Sequence, residues 1–168
     1  MLDDRTSCDF NEIKFVKPDE YKVANCGVIY TVLGTCIAVL LWDKKNHIGG
    51  LAHYRIGKKP LNKGSYISGE ELLEKMYEEM IKSGADSSFI TANLIGGMDT
   101  GREIASKIVD DNIETALKFL LKNRIELKNR KTGFNLPLRI RFYLEDGRVT
   151  IQKIEYGEEK EWLRWKRQ

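Results

Sequence analysis

The stretch from Thr31 to Arg55, TVLGTCIAVLLWDKKNHIGGLAHYR, constrains the fold more than any other part of the chain. Two runs rich in β-branched and apolar residues, Ile37 to Trp42 and Ile48 to Arg55, flank polar Asp43, Lys44, Lys45 and Asn46, the pattern of a β-hairpin. Cys36 opens the first run and His53 sits near the end of the second. A two- or four-residue loop centred between Lys44 and Lys45 sets Cys36 directly opposite His53 on one face of the hairpin, with Cα atoms roughly 4.5–5.5 Å apart. A slip of one residue sends the two side chains to opposite faces. In the opposed register a thiol and an imidazole have the geometry of a nucleophile and its base. The competing reading of Cys36 is a small apolar residue at the start of a buried strand, because free cysteine is among the most buried residue types.

The glycines around the hairpin bear on the same question. Gly34 breaks the preceding strand pattern, Gly27 to Leu33, and so predicts a tight turn or close backbone approach just before Cys36. Backbone N–H groups of such a bend can face a developing oxyanion. Gly49-Gly50 marks either a second close approach or a β-bulge. His47 falls in the polar turn and reads as solvated. The loop over residues 57–67, GKKPLNKGSYI, lies where the hairpin ends and can rim a site.

At 168 residues the chain fits one domain, residues 1–168, with residues 1–11 read as loose and 157–168 as a charged tail carrying Trp162 and Trp165. Lysine and arginine number 28 against 25 acids, and the net charge of +3 is too mild to argue for nucleic acid. Cys8, Cys26 and Cys36 lack CxxC spacing, and with two histidines they complete no zinc set, so no metal or cofactor is expected. Cys8 and Cys26 have no activating flanks and read as structural or incidental. A reduced, cytoplasmic setting follows, together with the expectation of no signal peptide and no membrane span.

Other elements read as follows. Ile13 to Val16 and Tyr21 to Val23 are weak strands. Ser68 with Glu71 predicts a capped helix with Leu72, Leu73, Met76, Met80 and Ile81 at helical spacing, its methionines core filler. Phe89 to Ile95 reads as a strand running into Gly96-Gly97. Asp111 or Asn112 predicts the cap of a second helix, with Ile113, Ala116, Leu117, Leu120 and Leu121 as its apolar stripe. Ile125 to Leu127 is a short strand, residues 128–137 a loop, and Leu138 to Leu144 with Arg148 to Ile154 a final hairpin. The expected class is α+β, a single domain of packed antiparallel or mixed sheets flanked by two main amphipathic helices.

The segment GVIYTVLGTCIAVLLWDKKNHIGGLAHYRI resembles the signature of the CheD family of bacterial chemoreceptor glutamine deamidases. The resemblance rests on Leu33-Gly34-Thr35-Cys36, on Asp43, on Gly49-Gly50-Leu51-Ala52-His53, and on the 17-residue interval from Cys36 to His53. It implies two packed sheets with helices outside, and a hydrolase, a protein-glutamine glutaminase, that converts receptor glutamines to glutamates in chemotaxis without cofactor. It further implies Cys36 as nucleophile, His53 as base and Thr31 as the third member. The Thr31–Cys36 interval is one residue shorter than the family's, so Thr31 or Thr35 fills that third role, or neither does. Implied partners are the cytoplasmic helices of methyl-accepting chemoreceptors and a CheC-type phosphatase. Met98, Val109, Phe134 and Leu138 depart from the family pattern. A non-catalytic adaptor of the same fold, binding receptors or the phosphatase, is the alternative.

Overall fold

The computed structural model describes residues 7–59 and 66–155, so Trp162 and Trp165 lie outside the described residues. Nine strands and two long helices follow one another along it. The strands are β1 (Ile13–Phe15), β2 (Glu20–Ala24), β3 (Val28–Leu33), β4 (Ile37–Asp43), β5 (Ile48–Tyr54), β6 (Ile90–Gly96), β7 (Glu126–Thr132), β8 (Leu138–Tyr143) and β9 (Val149–Lys153). Helix α1 (Gly69–Lys82) lies between β5 and β6, and α2 (Glu103–Lys122) between β6 and β7. One sheet has the order β1-β3-β8-β9 and the other β2-β5-β4-β6-β7. The β1–β3 and β6–β7 pairs are parallel and the rest antiparallel, so both sheets are mixed.

Every residue of β4 and β5 is buried, which is why the hairpin reads as two nearly continuous apolar runs rather than as alternating ones. Ile37, Val39 and Leu41 face the helices, packing with Leu72, Leu73, Met76, Met80, Ile113 and Ala116. Ala38, Leu40 and Trp42 point the other way, onto Ile29, Leu33, Ile140 and Phe142 of the four-stranded sheet. The result is three layers, helices on sheet on sheet, with both helices on one side of the five-stranded sheet. The expected α+β architecture is the one observed.

The hairpin register differs from the expected one. Its closing pair is Asp43 with Ile48, which centres a four-residue loop between Lys45 and Asn46 and places Ala38, not Cys36, opposite His53. Asp43 fixes this turn: its carboxylate accepts from Lys45 N–H at 2.8 Å and Asn46 N–H at 3.2 Å, and from Asp86 N–H at 2.8 Å. His47 closes the loop with φ 54, and its Nδ1 lies 2.9 Å from the Glu145 carbonyl in an exposed contact, so the ring is tethered at the surface. Because the shift is by two residues, Cys36 stays on the same face as His53. Gly49-Gly50 is a close approach without a bulge, for pairing runs unbroken through Trp42↔Gly49 and Leu41↔Gly50. A Cβ on Gly49 would meet Leu144 and Phe142, and one on Gly50 would meet Met76 from the helix side.

Ser68 caps α1 through Glu71 N–H at 3.2 Å, as its sequence requires, although Ile81 is 40% exposed. Helix α2 begins nine residues before Asn112, which is therefore no cap but a buried mid-helix residue. No side chain caps the α2 start at Arg102, so the sequence carries no cap signal there. Leu121 leaves the predicted stripe and is 80% exposed. Strand β7 runs to Thr132, through residues read as loop, because parallel pairing with β6 holds a segment too polar to show strand periodicity. Cys8 and Cys26, read as reduced, are paired as a disulfide with Cα atoms 6.0 Å apart. Among the described residues no helix is long and apolar enough to cross a membrane.

Candidate active site

Three segments converge where the two sheets meet at the start of β4. Strand β3 contributes Thr31, fully buried on the four-stranded sheet. Strand β5 contributes His53, 2% exposed on the facing sheet. The bend between β3 and β4 carries Cys36, a half-buried cysteine outside the disulfide. Continuing the β4–β5 register outward from Ile37↔Tyr54 makes Cys36 a diagonal neighbour of His53 on the inner face, roughly 7–8 Å between Cα atoms.

Thr31 and His53 are in direct contact across the sheets. The Thr31 hydroxyl donates to the Val16 carbonyl at 2.7 Å, and its oxygen lies 2.9 Å from His53 Nδ1. A hydroxyl has one proton to give. With that proton on Val16, the short Thr31–His53 contact requires Nδ1–H to donate to Thr31 Oγ1. Nε2 is then the unprotonated nitrogen, and among the described residues it has no hydrogen-bond partner. Burial pushes His53 down to about 4, against opposing contributions from the Val16 carbonyl and Asp19, while Arg55 adds to the lowering. The imidazole is therefore neutral at pH 7 and presents a lone pair.

The Cys36 bend is seated on a glycine pair. Gly97 N–H donates to the Cys36 carbonyl at 2.9 Å and Met98 N–H to that of Gly34 at 3.2 Å. Gly96 and Gly97 have φ of +119 and +69, and a Cβ at Gly96 would run into the Cys36 carbonyl. Both facts make this a backbone-on-backbone seat that only glycine accommodates. Thr35, the other threonine of the LGTC element, is exposed. Of the two candidates, it is Thr31 that contacts His53.

Asp19 and Tyr54, which sequence reasoning did not single out, and Asn112, read there only as a helix cap, shape the rim. Asp19, with φ 63, donates its N–H to the His53 carbonyl at 2.7 Å, while its carboxylate accepts from Arg55 N–H at 3.1 Å and Arg55 Nε at 2.7 Å. Asn112 reaches from α2 to the same segment, donating to the Arg55 carbonyl at 2.7 Å and accepting from Gly57 N–H at 2.6 Å. Tyr54 OH donates to the Asn112 carbonyl at 2.7 Å. Beside this latch a cavity of about 220 Å³ is lined by Asp19, Arg55, Ile56 and Tyr66. A polar residue inside an apolar helical stripe was the available signal for Asn112, whereas the left-handed backbone of Asp19 is visible only in the structure.

Residues 54–153 match the family model described as CheD chemotactic sensory transduction. The chain is 31% identical over 134 residues to a probable chemoreceptor glutamine deamidase CheD of Rhodospirillum rubrum, covering 76% of this chain and 74% of that one. It is 30% identical over 153 residues to the chemoreceptor glutamine deamidase CheD of Thermotoga maritima, covering 88% of this chain and 96% of that one. A probable enzyme of the same name from Borreliella burgdorferi is 29% identical over 84% of this chain and 88% of its own length. With the family model matching more than half of the chain, and relatives aligned over most of their length, the chain belongs to the CheD family.

Proposed function

We propose that this chain hydrolyses glutamine side-chain amides to glutamate on the cytoplasmic helices of chemoreceptors, with Cys36 as nucleophile, His53 as acid and base, and Thr31 as the residue that orients His53. The single observation that supports this most is the proton arrangement at Thr31, which leaves His53 Nε2 unprotonated and, among the described residues, without a partner on the face it shares with Cys36.

In this mechanism the Cys36 S–H proton passes to His53 Nε2 as sulfur attacks the carboxamide carbon. The carbonyl oxygen becomes an oxyanion, met by N–H groups of the Gly34–Cys36 bend. The tetrahedral intermediate collapses, the C–N bond breaks, and Nε2–H gives its proton to the departing ammonia. A γ-glutamyl thioester on Cys36 remains. Water then loses a proton to Nε2 and attacks the thioester carbon, and the C–S bond breaks. Sulfur takes the proton back, leaving glutamate and free thiol. Each time His53 becomes cationic, the Nδ1–H to Thr31 hydrogen bond, continued into the Val16 carbonyl, offsets the charge on a buried ring. The sequence needs neither metal nor cofactor.

The names of the relatives support the substrate class, since those proteins are chemoreceptor glutamine deamidases. Cytoplasmic location and binding to a CheC-type phosphatase belong to the proposal on the family resemblance. The test is mass spectrometry of a chemoreceptor cytoplasmic fragment after incubation with the wild-type chain or Cys36→Ala. Conversion of glutamine to glutamate by the wild type alone supports the reading. An unchanged fragment with both, where a known deamidase converts it, overturns the enzyme reading in favour of an adaptor.

A further inference from the structure

The mechanism leaves one electrostatic requirement open. A thiol that yields its proton to a buried neutral imidazole leaves a thiolate at a half-buried position, and the resting His53 supplies no positive charge there. The imidazolium formed by the transfer is disfavoured by burial, so a standing cation near Cys36, supplied by another residue, would favour the thiolate.

Arg55 stands in that position. The paired ladder ends at Ile37 with Tyr54; continued by one rung, it sets Cys36 opposite Arg55, as Ala38 is opposite His53 one pair further in. The same continuation puts residues 36 and 55 on the side of 38 and 53, and Cys36 packs against the core between the sheets. The Arg55 side chain is 62% exposed, and its guanidinium is paired with Asp19. Asp19 grips both its Nε and its backbone N–H, and Asn112 holds its carbonyl, so three of its groups are fixed from two other elements. Asp19 itself is anchored to the carbonyl of His53 at 2.7 Å. Arg55 also borders the cavity with Asp19, Ile56 and Tyr66. The protonated form of Arg55 is favoured first by Asp19, and also by Cys36 and Tyr66. Coupling between two charges is reciprocal, so a cation favoured by a thiolate favours that thiolate equally.

We propose that Arg55, pinned by Asp19 and Asn112 one rung beyond His53, is the cation that compensates the Cys36 thiolate as its proton passes to His53. This rests on the reading of Cys36 as nucleophile. Arg55 is a positioning residue in this scheme: it acts through Cys36 and touches no reacting atom. The other ionisable groups around the bend are Asp19 ahead of β2, His53 on β5, Tyr66 ahead of α1, and Asp99 in the turn on which the bend is seated. None of these supplies a permanent positive charge, whereas a guanidinium does so across the working pH range.

The experiment is the pH–rate profile of Cys36 alkylation by iodoacetamide, read by peptide mass spectrometry in wild type, Arg55→Met and Arg55→Lys, since alkylation follows the thiolate fraction. Arg55→Met is expected to move the inflection up by about one pH unit, and Arg55→Lys to keep it within about half a unit of wild type. Added salt is expected to raise the wild-type inflection and leave that of Arg55→Met in place, because screening removes only what a charge supplied. An inflection unchanged in Arg55→Met, or raised equally in the methionine and lysine variants, overturns the proposal. The salt arm on the unmodified chain keeps the test open if a variant folds poorly. Failure of the catalytic reading is distinct from these outcomes: it appears as receptor deamidation that survives Cys36→Ala, whatever Arg55 does to alkylation.

Discussion

Thr31 on one sheet and His53 on the other meet at 2.9 Å, and the Thr31 hydroxyl proton is already committed to the Val16 carbonyl. The contact therefore selects one tautomer of the imidazole and aims its lone pair at the face that carries Cys36. Thr31→Val is expected to lower kcat/KM for receptor deamidation by roughly tenfold to a hundredfold, because Nδ1–H loses its acceptor and the ring its fixed orientation. Two buried partners are left unsatisfied, so stability should fall by about 1–3 kcal/mol. Thr31→Ser should restore most of both. Paired kinetic and denaturant measurements on the two variants check this.

The buried state of His53 has a consequence for acid stability. Its value falls from 6.5 to about 4, chiefly through burial. Between those two pH values the unfolded chain binds a proton that the folded chain refuses. The contribution of His53 is therefore intact above about pH 6.5 and lost as pH falls toward 4, by on the order of 3 kcal/mol in all. Urea midpoints measured from pH 7 to pH 4 should show this slope in the wild type and a shallower one in His53→Gln.

Asn112 is buried and spends its side chain on the segment that follows His53, with bonds to the Arg55 carbonyl and Gly57 N–H. Asn112→Ala should cost about 2–3 kcal/mol, since both backbone groups lose a buried partner. It should also lower deamidation at temperatures where the variant is fully folded, as Arg55 is released. Circular dichroism melts beside activity at a low temperature separate the two effects.

The two glycines of the GGLAH element are expected to differ under substitution. Gly49→Ala drives a methyl into Leu144 and the Phe142 ring, and overpacking there should cost about 1–3 kcal/mol. Gly50→Ala meets the Met76 side chain, which can move aside, so its cost should be the smaller of the two. Chemical denaturation of the pair tests the ordering.

The hairpin was legible because its residues report two environments at once: apolar on every position, and interrupted by polar residues at the turn. Its face assignment carried through to Cys36 and His53, but its register did not, because the turn is set by contacts of Asp43 with Asp86 as well as with its own loop. That is a tertiary contact that no local pattern encodes. The α2 start was hidden for the opposite reason, the lack of any capping side chain at Arg102. Strand β7 was hidden by its exposed, polar composition, which pairing with β6 overrides. Thr31 could not be separated from Thr35 by spacing, since the contact that distinguishes them runs between two sheets whose packing is not a sequence property. Asp19 and Arg55 fall at loop positions where sequence patterns read only a turn and a strand end.

The central claim is that a thioester on Cys36 is the route from glutamine to glutamate, and a competing nucleophile tests it most directly. A chemoreceptor cytoplasmic fragment incubated with the chain and hydroxylamine should yield glutamyl hydroxamate at the sites that otherwise become glutamate, because the thioester is intercepted before water reaches it. Cys36→Ala should give neither product. Glutamate formation that persists in Cys36→Ala, or deamidation with no hydroxamate at any hydroxylamine concentration, would contradict the account.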